Sequence, residues 1–189
     1  VIKEYGATRI SINPQTLSDE VLAAIGRRHT AQDVLDCFAQ ARRLGHGNIN
    51  MDLIAGLPLD TPARFAQTLQ GVLALAPENI TVHTLTLKRA SNLVIEHAPN
   101  AYGDVARMLD SCALLGENGY EPYYLYRQKG TLQNLENTGY TRPGYAGLYN
   151  VFIMEEVHTI LSAGAGGSTK LVGPDGHIRR IFNHKYPLE

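Results

Sequence analysis

The feature that most constrains this chain is a repeated alternation. Runs rich in β-branched and apolar residues are each followed by a stretch whose apolar positions recur with the helical period. The first run, Thr8-Arg9-Ile10-Ser11-Ile12, ends at Asn13-Pro14, because proline cannot continue a central strand. Ser18 then caps a short helix through Val21, Leu22 and Ile25, closed by Gly26. Thr30 caps a second helix with Val34, Leu35, Cys37, Phe38, Ala41 and Leu44 on one face and Gly45 at its end. The segment from Asn48 to Ile54 reads as a buried strand closed by Gly56-Leu57-Pro58. Asp60-Thr61-Pro62 opens a third helix, with proline in its first turn, that runs through Phe65, Leu69, Val72, Leu73 and Leu75 to Pro77. Asn79 to Leu87 is β-branched and reads as a third strand. After an irregular stretch around Pro99 and Asn100, a helix is expected from Tyr102 to Asn118 and a fourth strand from Pro122 to Tyr126. Strands and helices alternating in this way imply parallel βαβ units.

From Gln128 the periodicity weakens. Gly130, Gly139, Pro143 and Gly144 punctuate a polar, tyrosine-bearing loop region. Val157 to Leu161 reads as a short strand or a helix end, Ala163 to Gly167 as a glycine-rich turn, and His177 to Phe182 as a last strand. With 189 residues, the whole fits one domain or two small ones sharing a fold. A net charge of -1 argues against a broad nucleic-acid surface. The chain has no apolar run of the ~18 residues that a membrane helix needs and no basic-then-apolar opening segment, so a cytoplasmic protein is expected. The opening Val1-Ile2-Lys3-Glu4, without an initiator methionine, suggests a fragment.

Ligands of parallel β/α folds bind outside the carboxyl ends of the strands. Gln15 lies beyond the first strand, Asp52 within the second, and His83, Thr84 and Thr86 in the third. Asp52 is the most informative, since an isolated carboxylate among Ile49, Met51, Leu53 and Ile54 is costly to bury. It needs either a ligand or a structural ion pair with Arg27 or Arg9. His83 reads more readily as a satisfied core histidine. The run from Ala163 to Lys170 fails phosphate-loop spacing, because its lysine follows the hydroxyl residues. Tyr120, Tyr123, Tyr124, Tyr126, Tyr140, Tyr145 and Tyr149 divide between packing and an aromatic pocket. Cys37 and Cys112 both fall in helices and are expected to be inert core residues.

Three blocks carry a resemblance: Gly26-Arg27-Arg28-His29-Thr30, Ala41-Arg42-Arg43-Leu44-Gly45 and Asn48-Ile49-Asn50-Met51-Asp52-Leu53-Ile54-Ala55-Gly56-Leu57-Pro58. With Arg9 to Gln15 upstream and Thr81 to Leu85 downstream, they resemble the second half of the radical S-adenosylmethionine barrel in oxygen-independent coproporphyrinogen III oxidases. The segments Tyr123 to Lys129 and Asn134 to Tyr140 are similar to one branch, the HemZ-type coproporphyrinogen dehydrogenases. The resemblance covers nearly the whole chain. It implies an α/β fold: the second half of a partial (β/α), TIM-like barrel, strands four to six and a following β/α unit, over residues 1–127. A smaller, Gly/Tyr-rich α+β extension follows over 128–189.

It also implies that Gln15, Arg27 and Asp52 hold S-adenosylmethionine, with Thr86 near the adenine. Asp52 would accept from ribose hydroxyls and Arg27 would pair with the methionine carboxylate or brace Gln15 and Asp52. The family's [4Fe-4S] cluster is held by C-x-x-x-C-x-x-C, and two cysteines cannot supply three thiolates. The implied function is therefore a fragment of a radical oxidoreductase that decarboxylates the propionates of coproporphyrinogen III to vinyl groups. The fragment itself is expected to bind no metal and to carry no catalytic residue. The implied partners are a porphyrinogen-type substrate and an unidentified electron donor, with self-association through exposed strand edges. Two other readings compete: the haem-chaperone branch of the same superfamily, and a stand-alone α/β binding module.

Overall fold

The computed structural model describes residues 1–86, 104–128 and 131–186. The expected positions Leu87, Pro99, Asn100, Tyr102, Lys129 and Gly130 lie outside them. The chain divides into two compact units, Val1–Ala146 and Gly147–Glu189. The boundary expected at 127/128 falls inside the first unit, because a strand from beyond it joins the main sheet. The expectation that both regions share one fold gives way to two units.

The first unit runs β1 (Ile10–Gln15), α1 (Asp19–Ala24), α2 (Ala31–Arg43), β2 (Ile49–Ala55), α3 (Pro62–Leu75) and β3 (Asn79–Thr84). It continues with α4 (Val105–Asp110), α5 (Ala113–Glu117), β4 (Glu121–Tyr126), a 3-10 turn (Leu132–Asn134) and β5 (Asn137–Thr141). The sheet order is β1-β2-β3-β5-β4. The β1–β2 and β2–β3 pairs are parallel, with Asp52 opposite Thr81 and Ile54 opposite His83.

Local chemistry sets the helix starts. Thr30 forms a capping box with Asp33 at the start of α2. Thr61 accepts from the Arg64 amide at the start of α3, with Pro62 in the first turn. The guanidinium of Arg42 clasps Glu78 at 2.9 and 3.0 Å, and Glu78 Oε2 accepts the Ile49 amide at 2.8 Å. That clasp ties the end of α2 to the start of β2 and the residue before β3.

The period-2 alternation of β2 divides its side chains between two environments. Ile49, Met51, Leu53 and Ala55 have no exposed surface and belong to the core with Val34 and Phe38 of α2, Phe65, Leu69 and Val72 of α3, and Met108 and Leu115. Each large side chain buried there contributes roughly 1.5–3 kcal/mol. Asn50, Asp52 and Ile54 take the alternate positions. Gly56 turns the chain after β2 at φ +92°, and a Cβ there would meet Val105 Cγ2 at 2.8 Å.

Three expectations are corrected by the structure. The fourth strand does not pair with the third; β5, which the glycine and polar residues of Asn137–Thr141 present as loop, lies between β3 and β4 and is antiparallel to both. Two reversals leave β4 running in the same direction as β3, so the βαβ direction holds while the slot beside β3 is filled. Gly139 leaves room on β5 for the Tyr124 ring, because a Cβ there would come within 1.9 Å of it. The helix expected through Asn118 is broken into α4 and α5 around Ser111 and Cys112. Cys37, expected in the core, is exposed on α2, whereas Cys112 is buried.

The second unit holds α6 (Leu148–Glu155) and an antiparallel hairpin, β6 (Ser168–Val172) with β7 (Ile178–Phe182). Ile160 makes a single antiparallel bridge to Lys170. The glycine-rich stretch is a turn that leads into β6, so no helix N-terminus follows it to cradle phosphate. Helix α6 buries no residue, and Leu148 and Tyr149 are among its exposed side chains.

Candidate functional site

Residues on alternate positions of three strands build a polar face. Asn50 and Asp52 come from β2, Thr81 and His83 from β3, and Tyr124 and Tyr126 from β4. Asn50 Nδ2 donates to Asp52 Oδ1 at 2.7 Å, and Thr81 Oγ1 donates to Asn50 Oδ1 at 3.0 Å. The Tyr124 hydroxyl lies 3.3 Å from Thr81 Oγ1. That contact spans β5, and only a glycine at 139 leaves room for the ring. His83 Nε2 faces Asp52 Oδ1 at 3.9 Å, and its Nδ1 lies 3.3 Å from the Tyr126 hydroxyl. The Tyr124 and Tyr126 rings are parallel to within 7°, with centroids 6.3 Å apart.

The electrostatics follow from this arrangement. Burial pushes the Asp52 carboxyl upward, but the neighbouring His83 ring, the Asn50 amide and Thr81 together outweigh it and hold its pKa below the usual carboxylate value. Asp52 is therefore ionised at neutral pH although its side chain is only 22% exposed. Burial, with a smaller contribution from Asp52 among other neighbours, pushes the Tyr124 hydroxyl up to about 12 and also raises Tyr126. Both phenols stay protonated and able to donate. Asp52 thus makes no ion pair with Arg27 or Arg9 among the described residues; neutral donors and His83 satisfy it instead.

The other expected binding residues sit around the same end of the parallel strands. Gln15 is the buried last residue of β1, at φ 68°, opposite Leu53, and its Nε2 donates to the Asn13 carbonyl at 3.3 Å. Arg27 is exposed just after α1, and its amide closes that helix on Leu22 O at 2.9 Å. Thr86 follows β3, bridges to Thr131 and donates to Gln128 Oε1 at 3.1 Å. The hydrogen bonds described tie Gln15 and Thr86 to other neighbours and do not join them to Asp52. Sequence reading missed the link from Tyr124 and Tyr126 to Asp52. Its available signal was the alternate spacing of the two tyrosines on one strand.

Fit differs between the two groups the family resemblance implies. An ionised, partly exposed carboxylate anchored at one oxygen suits the vicinal hydroxyls of a ribose. A cluster does not fit: the chain has two cysteines, and no group of three His, Cys, Asp or Glu among the described residues could hold a metal. Burial pushes the Cys112 thiol up to about 12, so it is a poor ligand as well as a poor nucleophile. No helix among the described residues is long and apolar enough to cross a membrane.

Residues 1–71 match the Radical SAM superfamily. The chain is 45% identical over 192 residues to the oxygen-independent coproporphyrinogen-III oxidase-like protein HemZ of Bacillus subtilis, covering 99% of this chain and 38% of that protein. It is 27% identical over 186 residues to the heme chaperone HemW of Escherichia coli, covering 96% of this chain and 45% of that protein. Among solved structures, coproporphyrinogen III oxidase (HemN) of Escherichia coli matches with a TM-score of 0.71 at 20% identity, over 98% of this chain and 42% of that one. That likeness bears out the α/β fold with a parallel sheet, consistent with part of a barrel. The chain spans less than half the length of each of these relatives.

Proposed function

We propose, for a chain that belongs to the radical S-adenosylmethionine family, that its first unit binds the S-adenosylmethionine of a longer oxidoreductase acting on a porphyrinogen. The observation that carries this reading is Asp52, kept ionised on the open side of a parallel strand and anchored at Oδ1 by Asn50. Asp52 accepts from the ribose hydroxyls. Gln15 belongs to the same cofactor site, Arg27 pairs with the methionine carboxylate or braces Gln15 and Asp52, and Thr86 lies near the adenine. When bound beside a reduced cluster, the cofactor supplies a hydrogen-abstracting radical, and the substrate chemistry is oxidative decarboxylation of propionate side chains of coproporphyrinogen III. This chain's residues bind and orient the cofactor and keep water away from it. The cluster thiolates come from elsewhere in the longer protein. An electron donor completes the reaction.

Calorimetric titration of this chain with S-adenosylmethionine tests the reading. Saturable binding that Asp52→Ala abolishes supports it; absent binding, or binding unchanged by Asp52→Ala, overturns it. Reconstitution with iron and sulfide is expected to give no cluster absorbance, and a stoichiometric cluster would contradict the division of labour.

The haem-chaperone reading is favoured by one observation, the HemW alignment across 96% of this chain. Titration with haem separates the two. Tight binding with a defined axial ligand supports the chaperone; only weak, unsaturable association supports the oxidoreductase.

A further inference from the structure

His83 has no role in the reading above, yet two polar groups bracket it. Tyr126 of β4 meets its Nδ1 at 3.3 Å, and Asp52 of β2 faces its Nε2 at 3.9 Å. The rings of His83 and Tyr126 meet edge to face, with centroids 6.4 Å apart and planes 71° apart, which further restricts the imidazole. In a neutral imidazole one nitrogen carries the proton and the other accepts. A proton on Nδ1 would turn the bare lone pair of Nε2 toward an ionised carboxylate, which is repulsive. A proton on Nε2 lets Nδ1 accept from the Tyr126 hydroxyl and aims an N–H at Asp52. The surroundings therefore select the second tautomer.

We propose that His83, oriented by Tyr126, is a positioning residue that fixes the Asp52 carboxylate for a vicinal diol. The proposal rests on the reading that Asp52 holds the ribose of S-adenosylmethionine. Asn50 and His83 both converge on Oδ1, and Oδ2 takes neither contact. The gap of 3.9 Å exceeds a direct hydrogen bond and closes when a ligand draws the carboxylate into line. Without His83 the carboxylate keeps Asn50, two residues before it, and Thr81, opposite it on β3, as neighbours but loses the brace toward β4. The brace reaches across β5 at Asn137, the register partner of Tyr126.

Two experiments test it. The first is ligand-free: nitrogen-15 chemical shifts of the His83 ring near neutral pH. Protonated Nε2 with unprotonated Nδ1 is the expected result, and the opposite tautomer overturns the proposal.

The second is titration with adenosine and with 2′,3′-dideoxyadenosine. His83→Gln places a side-chain N–H near the Nε2 position, whereas His83→Asn reaches only as far as Nδ1. His83→Asn is expected to weaken adenosine binding about tenfold, the loss of one hydrogen bond to a charged group. His83→Gln is expected to stay within about twofold of the parent, and Tyr126→Phe to lose about threefold, since each disturbs less of that bond. Binding of 2′,3′-dideoxyadenosine should not respond to any of the three, and thermal unfolding confirms that each variant folds. Equal binding by all three variants while Asp52→Asn loses adenosine overturns the role of His83 and leaves Asp52 standing. A loss in His83→Gln as large as in His83→Asn also overturns it. Equal binding of both nucleosides by the parent chain, or none, overturns the ribose reading and this inference with it.

Discussion

The two faces of the main sheet begin one residue apart in sequence and end in opposite chemistry. On one, Ile49, Met51, Leu53 and Ala55 are sealed beneath α2 and α3. On the other, Asn50 and Asp52 join Thr81, His83, Tyr124 and Tyr126 in a hydrogen-bonded row. Parallel strands are ordinarily apolar on both sides because helices cover both. Here one face is committed wholly to packing, whereas on the other Ile54 packs against Val21, Leu57 and Leu85 and the positions of Asn50 and Asp52 are left to hold an ionised group. Two aspartates show the consequence. Asp52 on the polar face has its pKa lowered, whereas Asp60 at the entry to α3, 4% exposed with Oδ2 unpartnered, is pushed by burial up to about 6.

If the faces divide stability from ligand chemistry in this way, substitutions should divide likewise. The largest effect is expected on the packed face. Phe65→Ala should cost about 3–5 kcal/mol in chemical denaturation, because it opens a cavity under β2; a loss below about 1 kcal/mol would show that α3 does not seal that face.

Asp60 sharpens the contrast through pH. Its folded pKa of about 6 exceeds the ordinary 3.8, so the folded state holds the proton more tightly. This group's contribution is therefore most favourable below about pH 4, declines as pH rises through about 6 and is constant above; a shift of two units corresponds to about 3 kcal/mol. Stability curves of the parent chain and Asp60→Asn should diverge between those limits, and parallel curves would contradict the assignment. Asp52, with its pKa lowered, has the opposite sign: its contribution is present at neutral pH and fades as the medium is acidified below the usual carboxylate range.

Gly139→Ala tests the far end of the polar face. A methyl there would collide with the Tyr124 ring, at a cost of about 1–3 kcal/mol. Adding Tyr124→Ala should relieve most of that cost, and strict additivity would show that the ring is not what requires glycine. The smallest effect on stability is expected from Asp52→Asn, below about 1 kcal/mol, since Asn50 and Thr81 remain as partners.

How much of this was legible in the sequence depended on the range of the interactions. The helical faces of α2 and α3 and the alternation in β2 are local patterns, and they placed the packed face and singled out Asp52. The strand Asn137–Thr141 is hidden because its glycine and polar residues look like loop; what makes it a strand is backbone pairing with β3 and β4 on either side, with Gly139 leaving room for the Tyr124 ring. The partners of Asp52 were hidden for a similar reason. Asn50 is two residues away, but His83 reaches Asp52 only through the parallel register of β2 and β3, and Tyr126 joins only through the insertion of β5. Cys37 follows the helical period yet lies exposed, because periodicity marks a face and does not say what covers it. The boundary between units was misplaced for the same cause as β5, since the pairing that extends the first unit is long-range.

Side-chain NMR during titration with S-adenosylmethionine tests the division of the faces most directly. The Asn50 side-chain amide and the His83 ring report the polar face, and the methyls of Leu69 and Val72 report the packed one. Saturable shifts confined to Asn50 and His83, and abolished by Asp52→Asn, are the predicted result. Shifts centred on Leu69 and Val72, or no saturable shift at Asn50 and His83, would contradict the account.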